Sequence, residues 1–279
     1  MFPKPEWYQA IQGRVSRRSF KADPISDDVI ARLDRLCLQF RFTEARAELV
    51  LDASGAIFKG AIGPYGKIKG APAYLAFIGD IGFPNYKEKV GYLGEGFILE
   101  ATLLGLSTCW VGGFFRPEAV ARRIHIDPGE KVLAVTPLGY SKQGYTLEEK
   151  LLSGMARSRQ RKELSELTGG LPPGEWPGWV RTALQAARLA PSAVNRQPWR
   201  FRIEPDQITV SVDSLQDSYH IPKRLDCGIA MMHLELGAMA AGVSGKWDYL
   251  KGQEVAVFKT ENRNRWHFAS GSGEEALIL

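Results

Sequence analysis

The segment at residues 16–21, SRRSFK, concentrates groups that bind phosphate esters. Arg17 and Arg18 bring two guanidiniums, Ser19 a hydroxyl and Lys21 an ammonium group. Arginine makes paired charge-assisted hydrogen bonds to phosphate oxygens, and lysine adds a point charge. These residue types predict an anion-binding segment, although a solvated basic N-terminal segment would have the same composition.

A second segment, residues 190–199 with the sequence APSAVNRQPW, places polar side chains between two prolines. Ser192 and Asn195 lie between Pro191 and Pro198. Because proline fixes φ, the loop holds its polar groups in one arrangement, which suits the binding of a polar heterocycle. A structural turn without a ligand is the alternative interpretation.

The third segment, residues 107–114 with the sequence STCWVGGF, contains the pair Gly112 and Gly113. Glycine lets a backbone approach a flat ligand closely and offer it N–H donors. The same pair after a helix is also typical of a helix C-cap. The segment is therefore a candidate ligand-binding turn with an ordinary structural alternative.

The chain lacks the motifs of several other classes of protein. Its three cysteines are far apart and its four histidines are scattered, so neither a disulfide framework nor a zinc site is expected. Residues 94–96, GEG, begin like a GxGxxG motif, but Leu99 replaces the third glycine, which argues against a Rossmann domain. No P-loop, nucleophile elbow or paired-carboxylate motif occurs.

The composition indicates a soluble globular protein. Hydrophobic residues make up 44% and charged residues 24% of the 279 residues, and the net charge of +5 is too small to predict nucleic-acid binding. The N-terminus has no apolar signal segment, and the apolar stretch 97–115 is interrupted by Glu100. We therefore expect a cytoplasmic protein with neither a nucleic-acid nor a membrane partner.

A Gly/Pro-rich segment divides the chain into two halves, residues 1–168 and 169–279. Seven of the twelve residues at 168–179, TGGLPPGEWPGW, are Gly or Pro, which excludes a continuous helix. Apolar periodicity on either side predicts alternating helices and strands. The predicted helices are 28–39, 91–106, 118–124, 147–155, 179–189 and 228–242, and the predicted strands are 47–51, 73–78, 131–138, 199–204, 208–212, 255–259 and 265–269.

An internal repeat relates the two halves. Residues 91–110 align with residues 228–247 without a gap, and six positions are identical in type. The alignment begins at Gly91 and Gly228 and ends at Trp110 and Trp247. It predicts two copies of one unit, although a chance match between two Ala/Gly/Leu-rich helices is the alternative.

Taken together, the segments RRSFK, GLSTCWVGGF and APSAVNRQPW resemble the FMN-dependent nitroreductase family. The resemblance extends to residues 133–140, LAVTPLGY, and to the basic residues 159–162, RQRK. It implies an α+β fold with mixed β-sheets flanked by helices around central apolar helices. The family is typically an interlocked homodimer with two FMN sites, each built from both subunits.

The order of the motifs departs from the family pattern. In the family, a PSxxN motif follows RRS within about one helix. Here that motif, PSAVN at residues 191–195, lies beyond the Gly/Pro-rich segment, and the corresponding place in the first half holds LQFRFT at residues 38–43. In the second half, the segment that corresponds to WVGG, residues 110–113, is WDYL at residues 247–250, which has no glycine. The chain thus resembles two subunits fused into a pseudo-dimer of two interlocked repeats, which keeps one of the two flavin sites. Such a chain needs no partner to complete its site, so we expect a monomer.

The resemblance implies a role for each matched residue. Backbone amides of Gly112 and Gly113 would face flavin N5 and O4, and Lys67 would lie near N1 and O2. Pro191, Ser192 and Asn195 would contact the flavin ring or ribityl chain. The groups that would hold the FMN phosphate and ribityl chain are Arg17, Arg18, Ser19, Lys21, Arg159 and Arg161.

The resemblance also implies an activity that uses no catalytic side chain. A ping-pong cycle would carry a hydride from NADH or NADPH to a nitroaromatic, a quinone or a similar small acceptor. An FMN-binding protein without turnover, for storage or sensing, is the alternative.

Overall fold

The computed structural model describes residues 2–51, 57–58, 68–113, 115–141, 144, 160–218 and 220–261. The predicted helix 147–155, the predicted strand 265–269, Lys67 and Arg159 lie outside the described residues. No helix of the described part is long and apolar enough to span a bilayer.

Two long apolar helices form the centre of the fold. They are the third and the last helix of the described chain, α3 (Tyr86–Leu103) and α7 (Lys223–Ala240), and they pack against each other along their length. Each begins five residues before its predicted start, because the first turn carries charged residues that interrupt the apolar pattern. Each ends before its predicted end, because Gly105 and Gly242 leave the helix with φ of +77° and +80°.

The two helices approach each other at a pair of glycines. A Cβ built on Gly91 would lie 2.0 Å from the carbonyl oxygen of Leu225, and a Cβ on Gly228 would lie 2.0 Å from that of Glu88. No larger side chain fits at either position unless the helices move apart. The offset of the sequence repeat, 137 positions, relates Gly91 to Gly228 and Glu88 to Leu225, so the two contacts are equivalent.

The first half contains a three-stranded antiparallel sheet of order β1-β2-β3. Its strands are β1 (Ala45–Leu51), β2 (Ala73–Asp80) and β3 (Glu130–Leu138). Residues 107–111 run beside β3, through antiparallel bridges from Ser107 to Gly139 and from Val111 to Val135. The helices of this half, besides α3, are α1 (Trp7–Gly13), α2 (Asp27–Gln39) and α4 (Pro117–Ala121).

The described residues of the second half form a five-stranded sheet of order β4-β5-β6-β8-β7, in which the β4–β5 pair is parallel and the others are antiparallel. Its strands are β4 (Thr168–Gly170), β5 (Trp199–Ile203), β6 (Gln207–Val212), β7 (Gly245–Tyr249) and β8 (Glu254–Thr260). The remaining helices are α5 (Leu164–Leu167) and α6 (Gly178–Arg188), with a 3-10 turn at Pro173–Glu175. The α+β class with mixed sheets is confirmed.

The two sheets share an order of elements. The segment after α3 lies beside β3, just as β7, the strand after α7, lies beside β8. The two strands that follow in each sheet, β2 and β1 in the first and β6 and β5 in the second, come in the same antiparallel order. This order agrees with the repeat, but the two interlocked copies stay a prediction.

Hydrophobic residues of the described part form two clusters. The larger cluster surrounds α3 and α7 and includes Leu75 and Phe77 of β2. The smaller cluster lies on the opposite face of the first sheet and includes Tyr74 and Ile78. Strand β2 is therefore buried on both faces, which fits its nearly continuous apolar sequence.

Candidate functional site

The basic segment 16–21 runs in an extended conformation along the turn that follows α3. The backbone N–H of Arg17 donates to the carbonyl of Thr108 at 2.8 Å, and that of Lys21 donates to the carbonyl of Tyr140 at 2.7 Å. Ser19, between them, forms a parallel bridge with Lys69. The structure thus brings the predicted phosphate-binding segment beside the segment that leads to Gly112 and Gly113.

The side chains of this segment have different surroundings. Arg17 is only 7% exposed, and its guanidinium donates to the carbonyl of Gly144. Lys21 is exposed, with its ammonium 3.9 Å from a carboxylate oxygen of Asp23. Arg18 is half-buried, and its carbonyl accepts from the N–H of Lys69 at 2.9 Å.

The loop 191–198 has an unusual backbone. Val194, Asn195 and Gln197 have φ of 51°, 57° and 49°, in the left-handed region that is costly for residues other than glycine. The hydroxyl oxygen of Ser192 accepts from the N–H of Gln197 at 2.9 Å. Strain of this kind persists only where surrounding contacts fix it, and it is concentrated at functional sites.

Residues 160–162 supply part of those contacts. The Nη1 atom of Arg161 donates to Oδ1 of Asn195 at 3.1 Å, and Nδ2 of Asn195 donates to the carbonyl of Gln160 at 2.8 Å. The N–H of Lys162 donates to Oε1 of Gln197 at 2.9 Å. Two predicted site residues from opposite sides of the Gly/Pro-rich segment, Arg161 and Asn195, are therefore in direct contact.

Positive charge accumulates around Arg161. Burial, together with the neighbouring cations Arg14 and Arg188, lowers the pKa of Arg161 to about 10. Arg14 lies three residues before Arg17, and its Nε atom is 3.6 Å from Oε1 of Glu95. Three guanidiniums from separate parts of the chain thus share one region, an arrangement that an anion would stabilise.

The turn that contains Gly112 and Gly113, the glycine turn, lies beside Ile221 of the second half. A Cβ built on Gly112 would lie 3.5 to 3.6 Å from three side-chain carbons of Ile221, so the two residues are neighbours. Gly113 is exposed. Pro191 is half-buried at the start of the loop 191–198.

A buried network lies behind the site. Oε2 of Glu95 accepts from Nε1 of Trp110 at 2.7 Å, and Oε1 lies 2.8 Å from Nε2 of His233. The other ring nitrogen of His233 lies 3.1 Å from the carbonyl of Ala186. Since both ring nitrogens face oxygen atoms, a proton must lie between His233 and Glu95.

Several residues of this region are absent from the sequence-based prediction. Arg14, Arg188, Asp226 and Ile221 all contact or approach predicted site residues or their direct neighbours. Their approach results from the packing of distant segments, so no local spacing marks them. Only the basic character of Arg14, close to residues 16–21, could have drawn attention to it.

The chain belongs to the family described as "Putative TM nitroreductase", whose model matches residues 6–238. Its fold is similar to that of a "putative nitroreductase" from Thermotoga maritima, with a TM-score of 0.62, 20% sequence identity, and coverage of 91% of this chain and 93% of that chain. The resemblance to nitroreductases is thus confirmed, and the family assigns the chain to the oxidoreductases.

Two further solved structures match about half of this chain. A nitroreductase with bound FMN from Desulfitobacterium hafniense covers 52% of this chain and 93% of its own, with 19% identity and a TM-score of 0.44. A nitroreductase family protein from Clostridium novyi NT covers 50% of this chain and 86% of its own, with 20% identity and a TM-score of 0.41. No curated protein matches the sequence.

Proposed function

We propose that the chain is an FMN-dependent NAD(P)H oxidoreductase with one composite flavin site. The contact between Arg161 and Asn195, within a cluster of guanidiniums that includes Arg14, carries this proposal. Membership of a nitroreductase family supports it. The site would draw its anion-binding groups from the first half and its polar loop from the second.

The residues present fit a flavin mononucleotide. Burial and like charges lower the pKa of Arg161, so a phosphate dianion at this place would remove an electrostatic cost. The strained backbone at Asn195 would hold an amide side chain toward a polar ring. The amide N–H groups of Gly112 and Gly113 supply donors without a side chain.

The roles implied by the family resemblance are part of this proposal. Ser192, Asn195 and Pro191 would contact the ring or ribityl chain, and Lys67 would lie near N1 and O2. The residues that would hold the phosphate and ribityl chain are Arg17, Arg18, Ser19, Lys21, Arg159 and Arg161. When bound, FMN would supply hydride transfer from NADH or NADPH to a nitroaromatic, quinone or similar acceptor.

The segment that corresponds to the glycine turn by the repeat carries large side chains instead of glycine. Tyr249 lies 137 residues after Gly112, the offset of the repeat, so it takes the place of the glycine. The ammonium of Lys89 lies 4.6 Å from the ring centroid of Tyr249 and 4.1 Å from that of Phe42. Phe42 belongs to the segment that stands where the second half has the PSxxN motif. We therefore propose one FMN for each chain.

The same asymmetry supports a fused pseudo-dimer with halves 1–168 and 169–279. The segment 160–170 passes from the first half to the second, where β4 pairs with β5. A chain that contains both halves of one site needs no second copy to complete it. We propose that it acts as a monomer on small molecules in the cytoplasm.

Cofactor content and reduction test this function together. The purified chain should release one FMN per polypeptide on denaturation, measured by absorbance. Anaerobic NADH or NADPH should bleach the bound flavin, and a quinone should restore the yellow colour. Flavin that stays yellow would instead indicate a binding protein without turnover, and a colourless chain that refuses FMN would contradict both.

A variant pair tests the phosphate-binding role. Arg161→Leu should weaken FMN binding by at least about tenfold, because it removes a charge-assisted contact. The control Arg202→Leu removes an exposed arginine, 57% exposed, from the second sheet. The control should change the FMN dissociation constant by less than about twofold.

A further inference from the structure

Ile221 is a buried apolar residue that packs into neither hydrophobic cluster of the described chain. It is 8% exposed, and its side chain lies against Gly112 of the other half. The larger cluster surrounds the central helices and the smaller one covers the first sheet, and Ile221 belongs to neither. Its burial comes from the junction between the halves, where the candidate flavin site lies.

Arg196 fixes the backbone around Ile221. Its Nη2 atom donates to the carbonyl of Ile221 at 2.9 Å, and its Nη1 atom donates to the hydroxyl of Ser218 at 2.9 Å. Its Nε atom donates to Oδ2 of Asp226 at 2.7 Å. The side chain of Asp226 is only 2% exposed, so Arg196 is anchored in the protein interior.

The same anchor positions the polar loop. The N–H of Ala193 donates to Oδ1 of Asp226 at 3.1 Å. The loop 191–198 and the backbone at Ile221 are therefore held by one carboxylate. Next to Ile221, His220 is exposed and has a φ of 57°, which shows that this short segment also has a constrained backbone.

We propose that Ile221 determines acceptor specificity by limiting the space beside the glycine turn. This inference rests on the proposed function. An acceptor must come within van der Waals distance of the reacting atom beside Gly112, so it shares that space with the Ile221 side chain. Ile221 would favour narrow, single-ring acceptors over wider, two-ring ones, with Arg196 and Asp226 as positioning residues.

Two substitutions of graded size test this role. Ile221→Ala should raise the ratio of kcat/KM for menadione to that for 1,4-benzoquinone by about tenfold, and Ile221→Val by about twofold to threefold, since each removes carbon atoms from the wall. The control Ile81→Ala removes an exposed isoleucine of the first half, 56% exposed, and should leave the ratio unchanged.

Binding of unreactive ligands gives a second readout. Benzoate and 2-naphthoate carry the same charge and differ by one ring, and their dissociation constants can be measured on the oxidised holoprotein from the flavin absorbance. Ile221→Ala should improve 2-naphthoate binding relative to benzoate by about tenfold. FMN affinity should change by less than about twofold, because Ile221 offers FMN no polar contact.

The outcomes separate the two proposals. One outcome is that the FMN-loaded variants keep the wild-type ratio of kcat/KM values for the two quinones and the wild-type ratio of dissociation constants for the two carboxylates. In that case Ile221 does not determine specificity, and the proposed function stands. If the wild-type chain binds no FMN, the proposed function fails and this inference fails with it. Should Ile221→Ala fail to fold, the Ile221→Val ratios decide in the same way.

Discussion

Gly91 in α3 and Gly228 in α7 occupy equivalent places in the contact between the central helices. Each lies against a backbone carbonyl of the other helix, 2.0 Å from the position of a built Cβ. Gly91→Ala or Gly228→Ala should each lower the free energy of unfolding by at least about 2 kcal/mol, because the helices must separate to admit a methyl group. Urea unfolding followed by circular dichroism measures this.

The matched control is Gly178→Ala at the start of α6. Gly178 is exposed, and a Cβ built there meets nothing within 4 Å. This substitution should leave the protein as stable as wild type or more stable by about 0.5 kcal/mol, since alanine favours a helix over glycine. Equal stability of all three variants would show that the helices do not depend on the glycine contacts.

Asn195 allows the side chain to be tested apart from the backbone. Asn195→Gly keeps a residue that accepts a φ of 57° but removes the amide that contacts Arg161 and Gln160. FMN binding to the apoprotein should weaken by about tenfold, measured by flavin fluorescence titration. The control Val194→Gly relieves a φ of 51° and should change FMN affinity by less than about twofold. Equal affinities of both variants would exclude Asn195 from the flavin site.

The buried pair of Glu95 and His233 should contribute strongly to stability. Both side chains are fully buried, with Oε1 and Nε2 2.8 Å apart. His233→Leu should lower the free energy of unfolding by about 3 kcal/mol, because it removes a partner from a buried carboxylate. The comparison is His125→Leu, which breaks a pair with Asp127 at the same 2.8 Å distance on the surface.

The surface substitution should change stability by less than about 0.5 kcal/mol, because solvent screens that pair. Urea unfolding of the two variants at the same pH measures the difference. If both variants lost a similar free energy of unfolding, burial of the Glu95–His233 pair between the two central helices would add nothing to stability.

Asp226 gives stability a pH dependence of predictable sign. Burial raises its pKa from 3.8 to about 6, although Arg196 and the N–H of Ala193 stabilise the carboxylate. The folded state therefore binds the Asp226 proton more tightly than the unfolded state does. The contribution of this protonation to the free energy of unfolding is complete below about pH 4 and is lost as the pH rises through 6. Asp226→Asn removes the titration.

The measurement is the free energy of unfolding of wild type minus that of Asp226→Asn at several pH values. This difference should fall between about pH 4 and pH 6 and stay constant above pH 7. Subtraction of the variant removes the contributions of other carboxylates. A difference that does not vary with pH would show that Asp226 is not the group that titrates.

The elements of the fold with strong apolar patterns could be predicted from the sequence. Strand β2 and the cores of α3 and α7 are buried almost completely, so their apolar residues are nearly continuous. The sequence does not predict strand β7, because the strand alternates between half-buried and exposed residues, with Lys246 and Asp248 on the exposed side. The seven-residue helix α1 is too short for its periodicity to be recognised.

The candidate site could be predicted only in part. The family resemblance of their motifs predicts Asn195 and Arg161 as site residues, and their hydrogen bond shows that these two segments meet. Arg188 and Ile221 could not be found, because each acts on a segment far away in the sequence. Their places depend on how the helices pack, which local composition does not encode.

The central helix pair belongs to one polypeptide, and this changes which substitutions selection can act on. In a dimer of identical chains, any mutation changes both copies of a segment at once. Here glycine stands at position 112 and tyrosine at position 249, and each can vary without the other. One copy of the segment can therefore keep its glycines while the other carries large side chains such as Tyr249, which lies beside Lys89.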